Sequence, residues 1–188
     1  MKRKVFAVLS ALCAAILITS TVLAGSIRLK SEPRFDLGSL IVSGVAGGLG
    51  GTDWDIIFNA SGTASVVCTN NGTNDVPGQS YPHVDGAGKE ALPGDSEFRK
   101  KGTSPFTVTA VPQEELDPYI SWEKGGCPNS NWSARYDFVY WESATILVKD
   151  PLSGEVVATF NFACVTTRIP ANDGYTFDDG DVTCKQIR

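Results

Sequence analysis

The feature that most constrains the fold of this chain is an alternation of apolar and other residues with a period of two. One such run covers 54–60 and a second covers 64–68. This period is typical of a strand that buries one face against the core of an antiparallel sheet. We interpret Ser61-Gly62, between the two runs, as a short turn that joins them into a β-hairpin.

The same alternation recurs along the chain, and the segments between the runs are rich in glycine and proline. Further strands are predicted at 35–45, 106–110, 136–148, 156–164 and 180–187. The segment 70–103 is interpreted as long and irregular, with short edge strands near His83–Asp85 and Glu97–Arg99. This pattern predicts an all-β fold, an immunoglobulin-like antiparallel β-sandwich of about seven strands, with a β-barrel as the alternative.

The N-terminus has the pattern of a secretory signal peptide. Three basic residues precede an apolar run at 5–18, and Val22-Leu23-Ala24 places small or aliphatic residues at a cleavage site after Ala24. The alternative is an uncleaved membrane anchor, because 5–24 is long enough to span a bilayer. We therefore predict secretion and three segments. These are a signal peptide at 1–24, a short N-terminal segment at 25–34 and a single β-sandwich domain at 35–188.

The balance of charge argues against nucleic acid as a partner. The chain has 16 basic and 21 acidic residues and a net charge of −5. Removal of the signal peptide takes away three basic residues and no acidic one, so the net charge becomes −8. A negative surface repels nucleic acids and anionic membrane surfaces. We expect no nucleic-acid partner and, after cleavage, no stable membrane span.

The cysteines predict two disulfides. Cys13 lies in the signal peptide, which leaves Cys68, Cys127, Cys164 and Cys184. An even number of cysteines in an exported chain is typical of disulfides, and four allow three pairings. A zinc site would need closely spaced C-x₂-C pairs, which the sequence lacks. The simplest pairing is Cys68–Cys127 and Cys164–Cys184, since the second closes a short loop and the first holds the irregular segment.

Two cysteine motifs resemble those of a group of small secreted bacterial proteins that are common in actinobacteria. The first motif is VVCTNNGTNDVPGQ at 66–79 and the second is GCPNSNW at 126–132. Members of the group carry V-x-C-T-N-x-G-G-N-x-x-P-G-Q and then G-C-P-N-x-x-W before a strand. The resemblance implies export, a β-sandwich and the Cys68–Cys127 disulfide, but no activity. This chain has Thr73 where the pattern has glycine.

The sequence contains no recognisable catalytic constellation, and we assign no catalytic residue. A Ser-His-Asp system would have to use His83, the one histidine, and no G-x-S-x-G motif is present. A glycosidase would need two carboxylates about 5 to 10 Å apart in a cleft. Asp53, Asp55 and the acidic cluster 114–117 are the candidates, and the spacing alone brings no two of them together. A hydrolase is therefore the third hypothesis.

Two groups of residues are candidate binding sites. Trp122 and Trp132 lie in turn-rich sequence, where exposed rings would stack on sugars. The segment 172–181 is rich in oxygen ligands for calcium, although its spacing is not that of an EF-hand. The candidate calcium ligands are Asp173, Asp178, Asp179 and Asp181. No other cofactor is expected.

These observations predict a secreted, disulfide-stapled β-sandwich that contacts an unknown protein or glycan at the cell surface. Such a chain would be an extracellular or cell-envelope interaction protein and not an enzyme. The alternative function is a carbohydrate-binding module that uses exposed Trp122 and Trp132.

Overall fold

The described residues form antiparallel β-strands that pair with one another. The computed structural model describes residues 27–31, 33–36, 40–97, 102–112, 119–169 and 179–187. Within these residues there are eleven strands, and every pairing between them is antiparallel. They are β1 (Arg28–Leu29), β2 (Arg34–Asp36), β3 (Leu40–Gly47), β4 (Trp54–Asn70), β5 (Asp75–Pro77), β6 (His83–Leu92), β7 (Thr103–Pro112), β8 (Tyr119–Ile120), β9 (Trp132–Lys149), β10 (Val156–Ile169) and β11 (Asp179–Ile187).

The predicted all-β antiparallel fold with two disulfides is confirmed. Seven of the strands have eight residues or more, in agreement with the predicted number, and the other four have two or three residues. The short strands add to the edges of β3, β4 and β9. No helix in the described part of the chain is long and apolar enough to cross a membrane. The predicted signal peptide lies outside the described residues.

The sheet folds back on itself around one core. The strands are hydrogen-bonded in the order β1-β3-β7-β6-β4-β9-β10-β11, with β2 on β3. The two ends of this path meet, because β11 lies beside β2. Strands from both halves of the path contribute to one buried cluster, an arrangement that is consistent with the predicted sandwich. Its largest members are Leu40, Val42, Ile56, Phe58, Phe106, Val108, Trp141, Ile146, Val148 and Phe162.

The predicted hairpin over 54–68 is wrong, because β4 runs through it as one strand of 17 residues. The even-numbered residues from Ile56 to Cys68 are all buried, without a change of phase at Ser61-Gly62. The pairing with β9 shifts register between Ser61 and Gly62, which marks a β-bulge. A Cβ on Gly62 would overlap the carbonyl oxygen of Tyr140. Glycine is therefore present to let β9 approach closely at the bulge, not to turn the chain.

The segment 70–103, predicted to be mostly irregular, contains the central strand β6. This strand has ten residues and lies between β4 and β7. Its sequence, HVDGAGKEAL, places Gly86, Gly88 and Glu90 at three successive inward positions. The alternation of apolar residues that identifies other strands is therefore too weak here to be recognised from the sequence.

Side chains replace backbone partners at the two places where neighbouring strands separate. The β6–β7 ladder ends after Gly86–Pro112 and Ala87–Val111, and beyond it the N–H of Thr107 donates to Glu90 Oε2 at 2.6 Å. The second place is where β10 leaves β9 to continue with β11. There the Thr166 hydroxyl accepts from Trp141 N–H at 2.9 Å and donates to Trp141 O at 3.1 Å.

Both predicted disulfides are confirmed. Cys68 at the end of β4 is joined to Cys127, with a sequence separation of 59. Cys164 and Cys184 are directly opposite each other on β10 and β11, with a separation of 20. All four residues are buried. The first disulfide holds the loop before β9, and the second holds the last hairpin.

We expect Gly62→Ala to destabilise the fold by about 2 kcal/mol, since the backbone of Tyr140 cannot move away from an added Cβ without disrupting the bulge. The measurement is the free energy of unfolding in urea. Gly51→Ala is the matched control, because a Cβ there would meet no atom within 4 Å. Equal stability of the two variants would contradict the close approach at Gly62.

The two disulfides should differ in their contribution to stability. Chain-entropy arguments give about 4 kcal/mol for the loop closed by Cys68–Cys127 and about 3 kcal/mol for that closed by Cys164–Cys184. We therefore expect the double alanine variant of the first pair to unfold at the lower denaturant concentration. The reverse order would show that native-state packing, not loop length, decides the difference.

Candidate functional site

The two cysteine motifs form one packed structural unit. Val66, Cys68, Cys127 and Ala134 make a second buried cluster, separate from the main core. The proline-glycine part of the first motif lies on the second motif, and a Cβ on Gly78 would overlap the carbonyl oxygen of Gly125. Both motifs are thus explained by packing around the disulfide.

The stretch 69–75 is a hairpin turn between β4 and β5. Asn70 Oδ1 accepts hydrogen bonds from the N–H groups of Gly72 at 2.8 Å and Asn74 at 3.0 Å, which is an Asx-type turn. The left-handed residue is Thr73, with φ of 62°. Thr73 occupies the position at which the resembled pattern has glycine, the residue that adopts this conformation without cost.

Trp122 and Trp132 flank Cys127 in the sequence. Both are partly buried and pack against the second cluster. Their rings therefore contribute to the packing of the disulfide unit, and part of each ring remains accessible. A role in stacking on a sugar stays a prediction.

Two of the four candidate calcium ligands, Asp173 and Asp178, lie outside the described residues. Asp179 begins β11, and Asp181 is an exposed residue of the same strand that is opposite Thr167 on β10. Among the described residues no three His, Cys, Asp or Glu side chains lie close enough together to hold a metal ion. Calcium binding stays a prediction.

The candidate acids of a hydrolase have structural partners where they are described. Asp55 is 6% exposed and its carboxylate lies 2.7 Å from Lys89 Nζ. Asp53 accepts a hydrogen bond from the N–H of Gly94 at 2.7 Å. The acidic cluster at 114–117 lies outside the described residues.

His83 lies beside a serine and an aspartate, but not in the arrangement of a catalytic triad. His83 Nε2 is 3.3 Å from Ser61 Oγ and 3.2 Å from Asp85 Oδ1. In a triad the serine and the carboxylate contact different ring nitrogens. One nitrogen takes the proton of the serine, and the carboxylate at the other nitrogen stabilises the charged ring that results. Here both contact the same nitrogen, and the three side chains cannot act as a relay in this geometry.

One concave surface among the described residues lies on the outer face of the sheet, opposite the core. We call it the trough; its cavity volume is about 460 Å³. It crosses β7, β6, β4 and β9, and most of the side chains that line it are short. The lining residues are Asn59, Ala60, Ser61, Asp85, Gly86, Ala87, Val111, Ser143 and Thr145.

The strand register arranges the trough as two rows that cross the strands. In the first row Ala87, Asn59 and Thr145 are neighbours on β6, β4 and β9, and Asn161 on β10 extends it. The Thr145 hydroxyl donates to Asn161 Oδ1 at 3.1 Å. The second row consists of Asp85, Ser61 and Ser143. The rows place hydrogen-bonding groups at a strand spacing of about 4.8 Å.

Longer side chains border the trough on two sides. One border follows the row of Lys89, Ile57 and Leu147, and the other follows the row of His83, Thr63 and Tyr140. These rows are the next outward positions along the same three strands. The trough is therefore a zone of short residues between two zones of longer ones.

Comparison with protein-family models, with curated proteins and with solved structures found no match to this chain. The function must therefore be argued from the arrangement of the residues themselves.

Sequence reasoning missed the trough, although part of its signal was present. Asn59, Ser61, Ser143 and Thr145 occupy alternate outward positions of two strands, where short polar residues replace the longer ones that usually cover a sheet. The residues of β6 could not be added, because the sequence predicts only a short edge strand near His83–Asp85 in place of this central strand. The lateral order of β6, β4 and β9 is also a property of the fold that a single sequence does not show.

We expect Thr73→Gly to stabilise the protein by about 1 kcal/mol, because glycine removes the steric cost of a left-handed β-branched residue. The free energy of unfolding is the measurement. Asn71→Gly in the same turn is the control and should destabilise slightly, since it only adds unfolded-state entropy. A loss of stability in Thr73→Gly would show that the hydroxyl of Thr73, which donates to the Gly72 carbonyl, outweighs the backbone strain.

Thr69→Ala should raise the pKa of Asp75. The Thr69 hydroxyl and then Arg135 hold the pKa of this exposed carboxyl below its ordinary value of 3.8. The ionised form thus stabilises the fold above pH 3.8, and this contribution is lost as the pH falls through the lowered pKa. Carboxyl titration by NMR is the measurement. Asp150, whose pKa is lowered by the N–H groups of Leu152 and Ser153, is the internal control.

Proposed function

We propose that this chain is a secreted protein that acts by binding in the extracellular space or the cell envelope, and that it binds through the trough. The observation that carries the proposal is the trough itself, an exposed concave surface of two rows of short hydrogen-bonding side chains. Binding sites are typically concave and contain a few well-placed polar groups.

The proposed location follows from the cysteines and the N-terminal sequence. Two buried disulfides fit an oxidising compartment. Cleavage of the signal peptide after Ala24 would release the whole described domain. The same proposal includes an immunoglobulin-like sandwich as the scaffold. It also includes a relationship to the secreted actinobacterial group, which is supported by the packing of the two cysteine motifs on each other.

The trough also has a rigid floor, which suits it to binding. Its central strand, β4, is paired with β6 on one side and with β9 on the other. The side chains of Asn59 and Ser61 project from this strand. Because their backbone is held by two ladders, these groups are preorganised for a ligand, and little ordering entropy is lost on binding.

We expect the purified, oxidised mature protein to bind insoluble polysaccharides or the cell-wall fraction of the producing organism saturably. Ser61→Arg should abolish this binding, because it fills the trough with a long charged side chain. Thr183→Arg is the matched control, since Thr183 is an exposed residue on β11, far along the sheet from the trough. Co-sedimentation measures binding, and unfolding transitions check that both variants fold.

The same assay tests the alternative, a carbohydrate-binding site at the tryptophans. Loss of binding in Trp122→Ala or Trp132→Ala, with Ser61→Arg unaffected, would favour that alternative and contradict the trough. Absence of saturable binding to any of these materials would contradict both.

A further inference from the structure

We infer that the ligand of the trough is a neutral glycan chain that lies across the strands, along the two rows of polar side chains. This inference rests on the proposed function of the trough as a binding surface, and it specifies the class of ligand. Three properties of the trough carry it: how its backbone is used, which groups line it and how these groups are spaced.

The first property is that the centre of the trough, on β4 and β9, has no free backbone to offer. β4 is hydrogen-bonded to β6 and β9, and β9 is hydrogen-bonded to β4 and β10 over the rows that concern us. A peptide that binds by strand addition needs an open sheet edge. Recognition in the trough must instead use side chains, which favours a ligand that carries its own hydrogen-bonding groups along its length.

The second property is the chemistry of the lining. Hydroxyls such as those of Ser61 and Ser143 both donate and accept, and the amide of Asn59 does so with separate atoms. Asp85 accepts only, and none of the described residues that line the trough is cationic. An anionic ligand would meet the Asp85 carboxylate, and the basic group beside it, the ring of His83 on the border of the trough, already lies 3.2 Å from that carboxylate. A sugar hydroxyl can donate to Asp85 and accept from its neighbours, so a neutral glycan matches the set.

The third property is the geometry of the rows and their borders. Crossing β7, β6, β4 and β9 spans roughly 14 Å at the usual strand spacing. The bordering Tyr140 is partly exposed and its ring is positioned by an edge-on contact with Phe138 at 5.1 Å between centroids. At the β7 end Val111 is 39% exposed. A polar floor with the Tyr140 ring and Val111 beside it suits a sugar chain, which has hydroxyls at its edges and C–H groups on its faces.

Isothermal titration with soluble linear hexasaccharides tests the inference. The neutral probes are those of glucose, xylose and N-acetylglucosamine, and the anionic probe is hexagalacturonate. We expect at least one neutral probe to bind and to compete with the cell-wall fraction, and hexagalacturonate not to bind. Asn59→Ala should weaken binding about tenfold, by removal of a hydrogen-bonding group. Thr183→Ala, on the distant β11, should leave it unchanged.

A second variant makes the class of ligand testable independently of fold stability. Asp85→Lys replaces the exposed carboxylate with a cation, and we expect it to bind hexagalacturonate and to lose affinity for the neutral probe. One outcome would overturn this inference and leave the proposed function intact. In that outcome the protein binds the cell-wall fraction, Ser61→Arg abolishes the binding, and no neutral probe competes with it. Absence of binding in every assay would overturn both.

Discussion

The pairing of β4 with β9 is the interaction on which the rest of the structure depends. The two longest strands run side by side from Asp55–Lys149 to Asn70–Trp132. Their inward residues form the centre of the main core and, further along, the second cluster around Cys68. Their outward residues form the middle of the trough. Successive residues of a strand point to opposite faces of the sheet. The register of β4 against β9 therefore determines both which residues enter the core and which residues line the candidate binding surface.

The bulges in this pairing allow one long ladder to contribute buried residues to both the main core and the second cluster. The register shifts once at Ser61–Gly62 and again at Ser65–Val66. Extra residues on one strand bend it and increase its twist. Beyond the second shift the strands enclose the small disulfide cluster, whereas before the first shift they enclose the main core. The most distinctive motifs of the sequence belong to the small cluster, where turn geometry and close glycine contacts account for them.

The sequence predicts most of the fold and little of the candidate site, for physical reasons. Apolar alternation and cysteine spacing are local signals, and they identify most of the long strands and both disulfides. The run predicted as one strand at 35–45 is instead two strands, β2 and β3, that pair with each other. The hairpin error at Ser61–Gly62 arose because glycine permits a turn and also permits a close strand contact, and only the unbroken phase of the buried residues distinguishes the two. β6 was missed because Gly86 and Gly88 occupy inward positions. The trough depends on which strands lie side by side in the sheet. A polar residue on the outward face of a strand does not indicate, in the sequence, which strands those are.

The side chains that bridge the separating strands have a consequence for local motion. The amide of Thr107 is held by Glu90, and that of Trp141 by the hydroxyl of Thr166. An amide held by another backbone group exchanges its hydrogen with solvent when strands part, whereas these two can be released by rotation of one side chain. Trp141 is 1% exposed, so rotation of Thr166 alone would leave its amide buried and without access to water, whereas the hydrogen bond of the Thr107 amide is exposed. Hydrogen exchange at Thr107 would then report rotation of the Glu90 side chain, and exchange at Trp141 would report a larger opening of the sheet.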